Sequence, residues 1–247
     1  GTTPHIGMEI LKDQAGIKLL HVPYKGAAPA ITAVLSGEVS ATMVDLLPVL
    51  RRSPDVVVKV QDPLGSQAFY WLNSKHKPFD SPAGRRAIAH LMDQSQVLGA
   101  VIGNTEYEKP CLSVMACGSP NESRAGTEDF IGPNIARARE LLRDAGYNGE
   151  LIVLLDPADQ PIMHQMALVL AQLMRGAGMN VDLQATDWGT VVTRSTRGDP
   201  PGPNSPGGHI HPSWAPGRVV SSPLTATQLR APCNLPTFVP NPCDPEL

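Results

Sequence analysis

The chain has 247 residues, with 20 Lys+Arg against 23 Asp+Glu, a formal net charge of −3 and a pI of about 6.2. That balance argues against a polyanion-binding surface, so no nucleic-acid partner is expected, and no apolar run approaches the ~18 residues of a spanning helix, so no membrane insertion is expected. Apolar residues at 42% and charged residues at 17% suit a folded globular protein, whereas 25 prolines and 4% aromatic residues are unusual.

Thr3-Pro4 predicts a helix start, with Thr as N-cap and Pro in the first turn, and Gly16 as its end. The first residue is Gly and no charged-then-apolar leader precedes it, so a targeting peptide is expected to have been removed or not included. Ile17–Val22 then reads as a strand, Pro29 as a helix start with Gly37 as its stop, and Val39–Val44 as a second strand. A Leu-rich helix at 46–52 and strands at Val56–Val58 and Ala68–Leu72 follow. Ser81-Pro82 and Pro133 open two more helices, the latter closed by Gly146. Leu151–Leu155 is a continuous apolar strand. Asp159 is expected to cap a long helix with Ile162, Met166, Val169, Leu170 and Leu173 on one face, and Gly178 turns the chain into a strand at Met179–Ala185. This last unit predicts a parallel strand–helix–strand crossover. From Gly198 onward, 12 Pro and 5 Gly in 50 residues predict an irregular segment, with at most short extended pieces at Val219-Val220 and Phe238-Val239.

The cysteines form two local pairs, Cys111/Cys117 and Cys233/Cys243, whose spacing fits neither a C-x2-C nor a His-x3-His zinc pattern. Short disulfide-closed loops in an oxidising compartment fit better; four free thiols in a reducing one are the alternative. No nucleophile elbow, P-loop or G-x-G-x-x-G occurs, so neither an enzyme nor a cofactor or metal site is expected. His209 and His211 are expected as exposed or hydrogen-bonded loop residues. The helix start at Gly1–His5 offers free N–H donors, two hydroxyls and an imidazole, which attract carboxylates. An ordinary capped helix is the plainer reading. Lys25 lies in a strand-to-helix loop of the kind that often binds ligands. Among the tryptophans, Trp71 reads as core, Trp188 as a helix start and Trp214 as either a stacking platform or a lid over the core.

Two resemblances add to this. Gly1-Thr2-Thr3-Pro4-His5, His21-Val22-Pro23-Tyr24-Lys25-Gly26-Ala27-Ala28-Pro29-Ala30 and Leu35-Ser36-Gly37-Glu38-Val39 resemble the tripartite tricarboxylate transporter receptors, binders of organic acids. That resemblance implies Thr2, Thr3, His5 and Lys25 as carboxylate contacts. From about Leu46 the chain resembles the family 5 solute-binding proteins of peptide-type ABC transporters. The residues that carry it are Pro54–Val58, Asp62-Pro63-Leu64-Gly65-Ser66-Gln67, Pro78-Phe79-Asp80 with Arg85-Arg86-Ala87, Cys111 to Cys117-Gly118-Ser119-Pro120, Ala136–Tyr147, Leu154–Pro157 and Asp187–Val192. Gly207–Trp214 keeps fragments of the family's aromatic-rich run, and Arg218 stands where an acidic residue is frequent.

These resemblances imply an α/β fold, a lobe like those of type II periplasmic binding proteins with a parallel or mixed sheet, flanking helices and an irregular Pro-rich tail. The expected divisions are 1–45, 46–197 and 198–247, in a hybrid or truncated chain that lacks the family's first lobe. The implied function is a periplasmic solute-binding component of an ABC transporter for peptides or similar solutes. It would be monomeric and partnered by a membrane permease, with Trp188 and Trp214 at the ligand and Cys111–Cys117 and Cys233–Cys243 as disulfides. An organic-acid receptor, or a remnant without a transport role, are the alternatives.

Overall fold

The computed structural model describes residues 8, 12, 15–24, 27–42, 62–102, 107–197 and 199–226. The chain divides into two compact units, residues 1–61 and 62–247.

In the first unit, Ala27–Leu35 forms helix α1, with Ala30 and Ala33 buried. Gly37 ends it at φ 77°, a left-handed position that a side chain would strain, and donates its N–H to the Val34 carbonyl at 3.1 Å. Ile17–Val22 is irregular rather than the expected strand, with Leu20 90% exposed. An extended segment without a laddered neighbour gains nothing from apolar sequence alone. Residues 39–40 bend and 41–42 are irregular, so no strand begins there, while the remaining expected strand residues, 43–44, lie outside the described residues. The expected elements at 46–52 and 56–58 lie outside the described residues.

The second unit is built on a four-stranded mixed sheet in the order β1-β4-β2-β3. The strands are β1 Ser66–Leu72, β2 Leu151–Pro157, β3 Asn180–Thr186 and β4 Ile210–Pro216. β1 runs antiparallel to β4, from Ser66 opposite Pro216 to Leu72 opposite Ile210; β2 runs parallel to β3 and meets β4 in parallel at Leu154–Ile210. The apolar run of β2 is buried on both faces, as a central parallel strand demands.

Side chains alternate across the sheet. Ile152, Leu154 and Ile210, joined by Tyr70 and Leu72, pack against helices α2 (Pro82–Ala89), α4 (Ile135–Asp144) and α5 (Pro161–Gly176). Val153 and Leu155 turn to the opposite face and meet Val191 and Trp188 of α6 (Trp188–Arg197). A further helix, α3, spans Gln94–Val101 and was not anticipated. Helix starts follow local chemistry: Ser81 Oγ accepts the Gly84 N–H at 3.1 Å and Asn134 Oδ1 the Arg137 N–H at 3.0 Å. The buried stripe of α5 is Met163, Met166, Ala167, Leu170, Ala171 and Met174. Ile162, expected on that stripe, is 37% exposed. Nor does Asp159 cap α5; the N-cap is Gln160, and Asp159 Oδ1 instead accepts the Trp188 backbone N–H at 2.8 Å.

The main departure from expectation is β4, a regular strand inside the segment read as irregular. Val219-Val220 lies in a turn, and the strand falls at Ile210–Pro216 instead. Two prolines did not prevent it, because β4 is registered along its whole length with β1 but with β2 at Leu154–Ile210, so Pro212 and Pro216 fall where the strand is laddered on one side.

Candidate functional site

Between the α6 face of the sheet and α6 lies a small, partly open cleft with a cavity volume of about 10 Å³, lined by Trp71, Asn73, Leu155, Ser195, Gly208, His209, Ile210 and His211. It is far smaller than the roughly 300–1,000 Å³ of a complete small-molecule pocket and has room for about one water-sized polar group, such as a single N–H or ammonium end.

Its walls are held by identifiable contacts. Gly208 lets the loop approach β2 closely, because a Cβ there would stand 2.6 Å from the Leu155 side chain, which would have to shift. The loop before β4 is tied to α6 by Arg194, whose guanidinium donates to the carbonyls of Ser205 (3.2 Å), Pro206 (2.6 Å) and Gly207 (3.0 Å), and to Gln184 Oε1 (2.6 Å). Asn73 is engaged at both ends, with Nδ2 donating to the Gly208 carbonyl at 3.1 Å and Oδ1 accepting the Lys75 N–H at 3.2 Å. Ser195 Oγ donates to the Val191 carbonyl at 2.9 Å.

The two histidines are buried, at 6% and 3% exposure; His209 is a hydrogen-bonded residue of the bend before β4, one of the two states expected, whereas His211 lies in the strand and not in a loop. His209 Nδ1 accepts the Val153 backbone N–H, so that nitrogen carries no proton. Burial lowers the His209 pKa to about 4, helped by repulsion from His76 and opposed by a hydrogen bond to the Lys77 backbone. In His211 the arrangement is reversed: Nδ1 donates to the Pro212 carbonyl at 3.0 Å, and burial lowers its pKa to about 4 against that bond. Its Nε2 is buried without a partner. Among the described residues no group of three or more His, Cys, Asp or Glu is placed to hold a metal.

Of the residues expected at the ligand, Trp188 lies beside this cleft without lining it; its ring meets that of His211 edge-on, with centroids 6.1 Å apart, whereas Trp71, read as core, lines the cleft. Helix α6 starts there because Asp187 Oδ1 accepts the Thr190 N–H at 3.0 Å and Oδ2 its hydroxyl at 2.6 Å, bonds that hold the Asp187 carboxyl below the ordinary carboxylate range. Trp214 does not join Trp188. Opposite Ala68 in register, it shares the sheet face of Ile210 and Tyr70, away from α6. Arg218 is paired with Asp62 at 3.0 Å. Cys111 and Cys117 form a disulfide, whose loop lies beside β1 through a Gln67 Nε2 bond to the Ser113 carbonyl at 3.1 Å. Thr2, Thr3, His5, Lys25, Cys233 and Cys243 lie outside the described residues.

Asn73, Ser195, His209 and His211 went unrecognised as one site. The available signal was the close spacing of His209 and His211 around the apolar Ile210, where the chain enters β4.

A mixed α/β lobe with helices flanking both faces of its sheet is the architecture of the type II periplasmic binding proteins. The overall fold matches the ABC transporter substrate-binding protein CtaP of Listeria monocytogenes with a TM-score of 0.67 at 18% identity, over 88% of this chain and 43% of that one. The chain belongs to the bacterial extracellular solute-binding proteins, family 5, whose middle region matches residues 16–202. It is 31% identical over 174 residues to the "Probable peptide ABC transporter periplasmic-binding protein y4tO" of Sinorhizobium fredii, which covers 69% of this chain and 33% of that protein. A separate likeness, 49% over 45 residues, joins 18% of this chain to 26% of a UPF0065 protein from the clcB-clcD intergenic region of Pseudomonas knackmussii. The chain thus spans a third or less of the length of these curated relatives.

Proposed function

We propose that this chain serves as a periplasmic solute-binding component of an ABC transporter, capturing peptides or similar small solutes without covalent chemistry and presenting them to a membrane permease. The family 5 match over residues 16–202 carries this reading. The small cleft beside α6 supports it, because Trp71 beside a few placed polar groups suits noncovalent contact with one polar group of a solute. Among the described residues no helix is long and apolar enough to cross a membrane, which fits a component that works beside a permease. The working unit in this reading is a monomer.

A second reading, an organic-acid receptor function in residues 1–45 with Thr2, Thr3, His5 and Lys25 as carboxylate contacts, is favoured by the UPF0065 likeness of matching length. Calorimetry of the purified chain with tri-alanine and with succinate separates the two. Heat and saturation with tri-alanine alone are expected. Saturation with succinate alone would transfer the function to the second reading.

A further inference from the structure

We propose that His211 is the specificity-determining acceptor of the cleft, selecting a ligand group that donates an N–H hydrogen bond and rejecting a carboxylate. This rests on the peptide-binding reading above and names which part of the solute enters.

The assignment follows from proton bookkeeping at one imidazole. A carbonyl oxygen only accepts, so the 3.0 Å contact between His211 Nδ1 and the Pro212 carbonyl places a hydrogen on Nδ1. A neutral imidazole has one N–H, so Nε2 carries a lone pair. The ring is 3% exposed, and burial opposes the cationic form that would turn Nε2 into a donor. Nε2 is therefore a buried acceptor, and it has no partner. Every other polar side chain of the lining for which a buried atom could be left open is engaged: Asn73 with Gly208 and Lys75, Ser195 with Val191, His209 with Val153. An unpaired buried acceptor costs free energy until a donor arrives. The ligand group that restores the balance is an N–H donor.

The surroundings narrow the class further. Trp71 lines the cleft, so the entering group meets an aromatic ring, which accepts ammonium groups and the flat faces of amides, while Trp188 holds the His211 ring from outside the cleft. A carboxylate would face a lone pair and ring faces of the same sign, with no donor to compensate its lost hydration. The donor can be the free ammonium of a peptide or a backbone amide, and capped and uncapped peptides distinguish these two sources.

The test uses the full chain labelled with ¹⁵N in its histidines, near neutral pH. Imidazole nitrogen resonances are expected to show His211 as the Nδ1–H tautomer with a bare Nε2. Adding tri-alanine should move the Nε2 resonance in the direction of hydrogen-bond acceptance, and succinate should leave it in place. N-acetyl-tri-alanine amide moving it as well identifies the amide as the donor; tri-alanine alone doing so identifies the ammonium. In parallel calorimetry, His211→Phe, which keeps a ring but no acceptor, should weaken tri-alanine by about tenfold or more, while His211→Gln, which restores an acceptor, should recover most of it. An Nε2–H tautomer in the free chain, or a response to succinate, overturns the proposal. So does equal affinity of tri-alanine for the native chain and His211→Phe, and that result leaves peptide binding standing. If no peptide binds but butylamine moves Nε2, the peptide reading fails and the acceptor assignment holds. No movement with any of the donor probes overturns the assignment.

Discussion

Val153 donates its backbone N–H to His209 Nδ1 at 2.9 Å, and the His209 backbone N–H returns a bond to the Val153 carbonyl at 2.9 Å. A side chain thus stands in for backbone at the entry of β4, and the substitution works only while the imidazole is neutral. His209 and His211 both have folded pKa values of about 4, below the ordinary 6.5, so unfolding takes up protons as the pH falls. Stability is then fully present above about pH 6.5 and is lost as the pH drops toward about 4. The loss approaches roughly 2–3 kcal/mol per histidine. Urea unfolding as a function of pH checks this. His209→Asn, which keeps an acceptor without titrating, should flatten the profile, and an unchanged slope would contradict the assignment.

Arg194 should matter more than any exposed ion pair. It holds three consecutive carbonyls of the 205–207 loop and Gln184, whereas Arg137 meets Glu140 in an exposed i,i+3 pair. Arg194→Ala should cost about 2 kcal/mol or more by leaving those carbonyls open, against less than ~1 kcal/mol for Arg137→Ala. Chemical denaturation of the two variants provides the comparison.

Replacing Gly208 tests the tight approach of the β4 entry to β2. Because an added methyl would meet Leu155 at 2.6 Å, Gly208→Ala should destabilise by roughly 1–3 kcal/mol. Gly149, with nothing within 4 Å of its Cβ position but a φ of 89°, separates crowding from backbone strain. In Gly208→Ala, a second change of Leu155→Val should recover part of the loss, and the same second change should not help Gly149→Ala.

The Cys111–Cys117 disulfide closes a loop of a few residues, and reduction or a double Cys→Ser change should lower stability by about 2 kcal/mol. Unfolding with and without reductant measures it. The Gln67–Ser113 contact ties this loop to β1, so amide exchange near Ser66–Leu72 should quicken on reduction.

The tryptophans give a fluorescence prediction. Ligand-dependent emission should survive Trp214→Phe, because Trp214 lies on the sheet face away from α6, and should drop most in Trp71→Phe and Trp188→Phe.

Local signals carried most of the second unit into the sequence reading. Ser81-Pro82, Pro133 with Gly146, and the apolar run Leu151–Leu155 each mark an element through capping, turn or burial chemistry within a few residues, although the cap of α4 is Asn134 rather than the proline before it. What local signals could not carry was partnership. Ile17–Val22 has strand-like composition and no ladder, while Ile210–Pro216 has prolines and is laddered along its length by a strand far away in sequence. The site suffered likewise. Trp188 was visible because it follows a helix-capping Asp, but Trp214 was grouped with it by residue type, and residue type does not report which side of a sheet a side chain takes. The buried histidines looked like loop residues for the same reason that β4 did.

The placement of β4 sets an order on assembly. β1 is bonded to β4, and the two pair across about 140 residues of intervening chain, the kind of distant closure that slows folding. On a ribosome, β1 emerges early and waits. Until Ile210–Pro216 is made, its N–H and C=O groups face water or a chaperone, while β2, α5 and β3 can already dock as a local unit. Of the four described strands β4 is made last, and it is the keystone between β1 and the β2–β3 pair, so a nascent chain halted before residue 210 would hold a folded β2–β3 unit beside a β1 that lacks this partner.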